Sequence, residues 1–230
     1  TATVKGALAA VLFNSVFALE TISYGSENNG EVFVNLVPQP GSGRGARKSH
    51  GGMRGHTDGV CFPFAGTRDA VQVRMAPAPD WVCLVCLRNP HTVATRVVPV
   101  EPMLKAMPRD LRRALKEPQF VIGAQSTFIA GMKRILEASH IVDGGALLHG
   151  ERGDWGFRFS HSTVDASQDA TDEARAALDW VAGYCATNSE AIVLKDIRRG
   201  AYKKLVISAG RLTGAVLVGD VADALWYLEL

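Results

Sequence analysis

A mainly β fold of the α+β class, a jelly-roll barrel (double-stranded β-helix) with flanking helices, is what this sequence predicts, and three observations predict it. Many short apolar runs of strand character are separated by Gly and Pro. One long, clearly periodic helix comes late, at Asp169–Tyr184. The composition is that of a folding chain, 47% hydrophobic and 21% charged over 230 residues, and all-β folds of this length often form one domain. A single domain over residues 1–230 is therefore the expectation.

The elements follow in order. Val4–Leu19 carries apolar residues at helical spacing and predicts an amphipathic helix closing against the core. Gly25-Ser-Glu-Asn-Asn-Gly30 ends it, and Glu31–Val37 alternates as a strand does. Pro38–Gly55 holds six glycines and a basic cluster, which predicts a mobile loop, poorly protected from hydrogen exchange. Val71–Met75, Trp81–Leu87 and Thr92–Val98 each read as strands. Glu101–Lys116 predicts one or two short helices, broken at Pro108, with Asp110 in the first turn of the second. Gln119–His149 is mixed, Trp155–Phe159 reads as a strand, and Asp169–Tyr184 has an acidic start with Ala174, Ala177, Leu178 and Val181 on one face. Ala191–Leu194, Leu205–Ser208, Ala215–Val218 and Ala224–Leu228 are further short apolar runs.

Composition excludes several classes of function. The net charge of +2 is far from the bias of a nucleic-acid binder. Gly6–Phe13 and Trp81–Leu87, the longest apolar stretches, fall short of a membrane span. With no secretory signature before them, the expectation is a cytoplasmic protein acting on a small molecule. Cys83 and Cys86 form a C-x-x-C with no second pair to complete a zinc site, inside an apolar run that predicts buried structural thiols. Oligomeric state is not legible.

His56-Thr-Asp58 is the sharpest local feature. Residues two apart on a strand project from one face, so this histidine and carboxylate can hold one metal ion together, as in the two-histidine, one-carboxylate facial triad. His50, His91, His140, His149 and His161 are scattered singly and read as surface or structural residues. His161, two residues beyond Phe157-Arg-Phe159, is the best spare donor. Asp143, Glu151 and Asp154 are either partners for a basic substrate or solvated loop charges.

Val37-Pro-Gln-Pro-Gly41, Gly55-His-Thr-Asp-Gly59, Cys86-Leu-Arg-Asn-Pro90 and Val93-Ala-Thr95 occur in that order. Together they resemble the clavaminate-synthase-like branch of the iron(II), 2-oxoglutarate-dependent oxygenases, which includes arginine, lysine and asparagine hydroxylases. The resemblance covers about residues 30 to 195 and implies iron(II) on His56 and Asp58. It further implies 2-oxoglutarate beside the metal, near Thr95, and hydroxylation or desaturation of a free amino acid or related small metabolite.

Two departures stand against it. The family takes its third ligand from a distal histidine, and no histidine follows His161. Aligning Val206–Gly214 puts Thr213 at that position, whereas aligning Asp196–Tyr202 puts Tyr202 there; the first keeps the preceding apolar strand and the following glycine. Leu225-Trp-Tyr-Leu-Glu229 also puts a carboxylate where the family has the arginine that grips 2-oxoglutarate, leaving Arg211 and Arg96 as substitutes. The sequence thus carries three expectations: an active oxygenase, a relative that binds without oxidising, and an isomerase or lyase that needs no 2-oxoglutarate.

Overall fold

The computed structural model describes residues 2–34, 40–42, 54–68, 74–85, 95–188, 194–196, 201–208 and 211–218. Its core is built by a central strand, two short helices and one long helix. β1 (Phe120–Gly123) buries Phe120 and Ile122 on alternate positions and pairs antiparallel with β2 (Ile141–Gly145) on one side and β5 (Val164–Ala166) on the other. The alternation is that of a strand with one face on a core. β3 (Leu148–Glu151) and β4 (Asp154–Phe157) form a hairpin turned by Arg152-Gly153, where Gly153 takes a positive φ of 90° that a side chain would resist.

Helices Val100–Ala106 and Arg109–Ala114 are separated at Met107-Pro108, as expected, because proline cannot continue the preceding helix. They bury Met103, Leu104, Ala114 and Leu115. The Leu115 carbonyl then accepts from the amides of Leu147 and Leu148, tying the hairpin to the helix end. The late helix runs over Asp172–Thr187. Thr171 caps it, its hydroxyl accepting from the Ala174 amide at 3.2 Å, an interaction contributing about 1 kcal/mol. Asp172 and Glu173 complement the dipole, and Ala174, Ala177 and Val181 seal the core.

Three expectations are corrected. The first helix forms over Ala2–Val16, but its large apolar residues Val4, Leu8, Val11, Leu12 and Val16 lie exposed and only small ones such as Ala10 are buried, so it does not close against the core with an apolar stripe. Residues 31–34 and 81–85 form no strand, and Trp81 is 56% exposed. Among the described residues, no strand lies beside them to pair with. Cys83, expected to be buried, is exposed, while Cys86, the loop at 43–53 and the Ala224–Leu228 run lie outside the described residues.

The C-terminal strands β6 (Leu194–Asp196), β7 (Ala201–Ser208) and β8 (Arg211–Val218) form one antiparallel sheet with β7 central. Among the described residues, the strands fall into this sheet, the β2-β1-β5 sheet and the β3-β4 hairpin. No described helix is long and apolar enough to cross a membrane.

Tyr24 bridges two parts of the core. Its ring stacks on Phe62 at 4.9 Å and meets the edge of Phe128 at 5.9 Å, and its hydroxyl donates to the Pro77 carbonyl at 2.6 Å. Burial, with the nearby negative charges of Asp80 and Glu27, pushes the phenol up to about 12. A folded pKa above the unfolded one means that the folded state holds the proton more tightly. This contribution is therefore complete below about pH 10 and is lost as pH rises towards 12. In an ultraviolet titration a tyrosine step is expected near pH 12, and Tyr24→Phe should remove it.

Candidate metal centre

Gly55–Asp58 is held as a short extended segment against the end of the β4 strand. His56 forms an antiparallel bridge with Ser160. The Thr57 amide donates to the Phe159 carbonyl at 2.8 Å, the Phe159 amide donates back to the Thr57 hydroxyl at 3.1 Å, and the His161 amide donates to the Gly55 carbonyl at 3.2 Å. Beyond Asp58, Gly59 turns the chain with φ of 62°, and the buried Val60, Cys61 and Phe62 anchor it in the core. Arg158 clamps the same region, donating to the carbonyls of Ala146 and Phe62 while its guanidinium lies 4.6 Å from the Phe64 ring centre.

The bridge at His56 and the turn that starts at Asp58 bring the two side chains together, with Nε2 and Oδ1 3.8 Å apart. The His56 Nδ1 faces the Arg54 carbonyl at 2.7 Å. A carbonyl only accepts, so Nδ1 carries a proton, and Nε2 is the ring nitrogen turned towards Asp58. A backbone carbonyl fixing the tautomer in this way is the usual support of a metal-binding imidazole. Octahedral bonds of about 2.1 Å at right angles would set the two donors about 3.0 Å apart. Asp58, 48% exposed, has room to rotate through the difference. Left without a metal, the same pair is a surface His–Asp contact contributing at most about 1 kcal/mol.

The fit to a complete facial triad is partial. Among the described residues, no group of three His, Cys, Asp or Glu is placed to hold a metal. His161 does not complete it. Side chains at bridged positions share a face, so His56 lies with Ser160, whereas His161 lies on the opposite face with Gly55. There the His161 Nδ1 sits 3.1 Å from the Gly55 carbonyl, near Cys185, which with His161 crowds the space where a Gly55 Cβ would sit. Thr95 and Arg96 are exposed in an irregular stretch before Pro99. Arg211 opens β8 opposite Ser208, Thr213 lies in the same strand, and Tyr202 pairs with Val218 and Lys195. Asp143, Glu151 and Asp154 are exposed.

Sequence reading missed Glu27. Desolvation raises its pKa, the Thr127 hydroxyl bond opposes this, and the negative charge of Asp58 adds to the rise. It is thus an acidic neighbour of the His-x-Asp pair. The stretch Gly25–Gly30 had offered only turn residues.

Residues 183–230, about a fifth of the chain, match the family described as rubredoxin NAD+ reductase C-terminal domain. No curated protein matches the chain. Among solved structures, the chain is similar to one described as non-heme iron oxygenase OrfP in complex with Fe. Identity is 26% over 45% of this chain, with a TM-score of 0.36, and the match spans 30% of that protein's chain.

Proposed function

We propose that His56 and Asp58 form an iron(II) site of the non-haem oxygenase type, serving 2-oxoglutarate-dependent hydroxylation or desaturation of a free amino acid or related small metabolite. One observation carries this reading: the imidazole, oriented through Nδ1 by the Arg54 carbonyl, sets its Nε2 3.8 Å from the Asp58 carboxylate. The ordered motifs from Val37-Pro-Gln-Pro-Gly41 to Val93-Ala-Thr95 support it. Bound iron would supply oxygen activation, while the chain's part is to hold the metal and orient the small molecule.

The C-terminal strands belong, in this proposal, to a unit of different descent. The family match over 183–230 supports this, as does a sheet whose three strands pair only with one another among the described residues. It also accounts for both departures from the oxygenase pattern. Thr213 and Glu229 stand where a histidine and a cation were sought because the region is not the second half of an oxygenase barrel. Among the described residues the buried core cluster runs from Val60 to Val181, and on this division a chain truncated after Asn188 is expected to keep a cooperative thermal transition, followed by circular dichroism. Loss of that transition would contradict the division.

Oxygen uptake by the iron-loaded protein, measured with 2-oxoglutarate and a panel of free amino acids, tests the activity. Uptake that needs both 2-oxoglutarate and an amino acid, and is absent in His56→Ala, supports it. Iron binding without uptake favours the second reading, a relative that binds without oxidising, for which the missing third donor among the described residues speaks.

A further inference from the structure

A cavity of about 260 Å³ lies between the Gly25–Gly30 turn and the helical segment Ser126–Leu136. Its wall includes Ser26, Asn28, Asn29, Thr127, Gly131 and Arg134. The two sides meet closely, since a Cβ on Gly131 would fall onto the Ser26 backbone. Glycine at 131 is what allows the turn to seat against the helix.

The donors around this cavity are unspent. Ser26 is 6% exposed, and among the described residues its hydroxyl, still reached by solvent, makes no hydrogen bond. Asn28 and Asn29 both hold positive φ, 44° and 59°, a conformation that costs energy and often marks a ligand clamp. Their amide N–H groups donate no hydrogen bond among the described residues. Among the described residues, Arg134 is the only charged one lining the cavity, and no partner for it appears. Glu27 borders the site without lining it, its carboxylate occupied by the Thr127 hydroxyl at 3.1 Å.

We propose that this cavity is a small-molecule oxyanion site, in which Arg134 and the Ser26 hydroxyl grip a carboxylate or phosphate group and the Asn28-Asn29 amides complete its coordination. A guanidinium fork matches either group bidentately. The volume is below that of a drug-sized pocket, so it admits a small metabolite or the end of a larger one.

The test uses the full, metal-free chain, so its outcome is independent of the His56–Asp58 reading. Amide NMR spectra are followed while sodium chloride is replaced, at constant ionic strength, by sodium phosphate and separately by sodium acetate. Saturable shifts at Ser26, Asn28 and Asn29 are expected in the wild type. Arg134→Ala should weaken them about tenfold or more, as loss of a charge-assisted pair does. Arg134→Gln, which keeps most of the stem, serves if the alanine variant fails to fold. Saturation by phosphate alone assigns a phosphorylated ligand, and saturation by acetate as well assigns a carboxylate. Linear shifts, or shifts equal in the wild type and the Arg134 variants, overturn the proposal.

Discussion

Phe120→Ala is expected to destabilise the protein by about 3–5 kcal/mol, the range for removing a fully buried aromatic ring. Phe120 is 0% exposed and sits in the middle strand of its sheet, opposite Gly145 on one side and Ala166 on the other. Small neighbours on both flanks cannot swing in to fill the space, so the cavity term adds to the lost transfer energy. Against a total stability of about 5–15 kcal/mol for a domain, this loss should lower Tm by about 10 °C. Leu8→Ala is the control. Leu8 is 57% exposed on the first helix, and its truncation should change stability by about 0.5 kcal/mol or less. Equal effects of the two substitutions in thermal melts would mean that the core is not where the structure puts it.

The second large effect is on metal affinity. His56→Ala removes the stronger of two protein donors and should reduce iron(II) affinity by more than the 10- to 100-fold that loss of an outer-shell partner costs. Thr213→His and Tyr202→His, which would restore a ligand if the C-terminal strands formed half of an oxygenase barrel, should leave affinity unchanged. Equilibrium dialysis of iron(II) under anaerobic conditions reads all three. Tightening by Thr213→His would return the C-terminal strands to the oxygenase portion.

What was legible in the sequence divides along a physical line. The late helix, expected over Asp169–Tyr184 and formed over Asp172–Thr187, was readable because its acidic start and apolar stripe are local, and the Pro108 break was readable because proline acts on its own neighbours. Glu31–Val34 and Trp81–Val85 have strand-like composition, but a strand exists only through a partner, and composition says nothing about partners. In the C-terminal sheet, Leu205–Ser208 and Ala215–Val218 were recognised only as the apolar ends of longer strands. Tyr202-Lys-Lys204 hid the start of β7, and small residues such as Thr213 and Gly214 hid that of β8. The His56–Asp58 pair needed only period-two alternation to be found, whereas the fact that His161 faces away depends on the bridge between His56 and Ser160, whose partners are far apart in sequence. The Ser26–Arg134 cavity likewise joins segments that no local pattern connects.

The central claim is that His56 and Asp58 together hold one metal ion. Anaerobic titration of iron(II) into the wild type, His56→Ala and Asp58→Asn by isothermal calorimetry tests it most directly. One equivalent bound by the wild type, with heat lost in both variants, is the predicted result. Wild-type binding that survives in both variants, or no binding in any of the three, would contradict the claim.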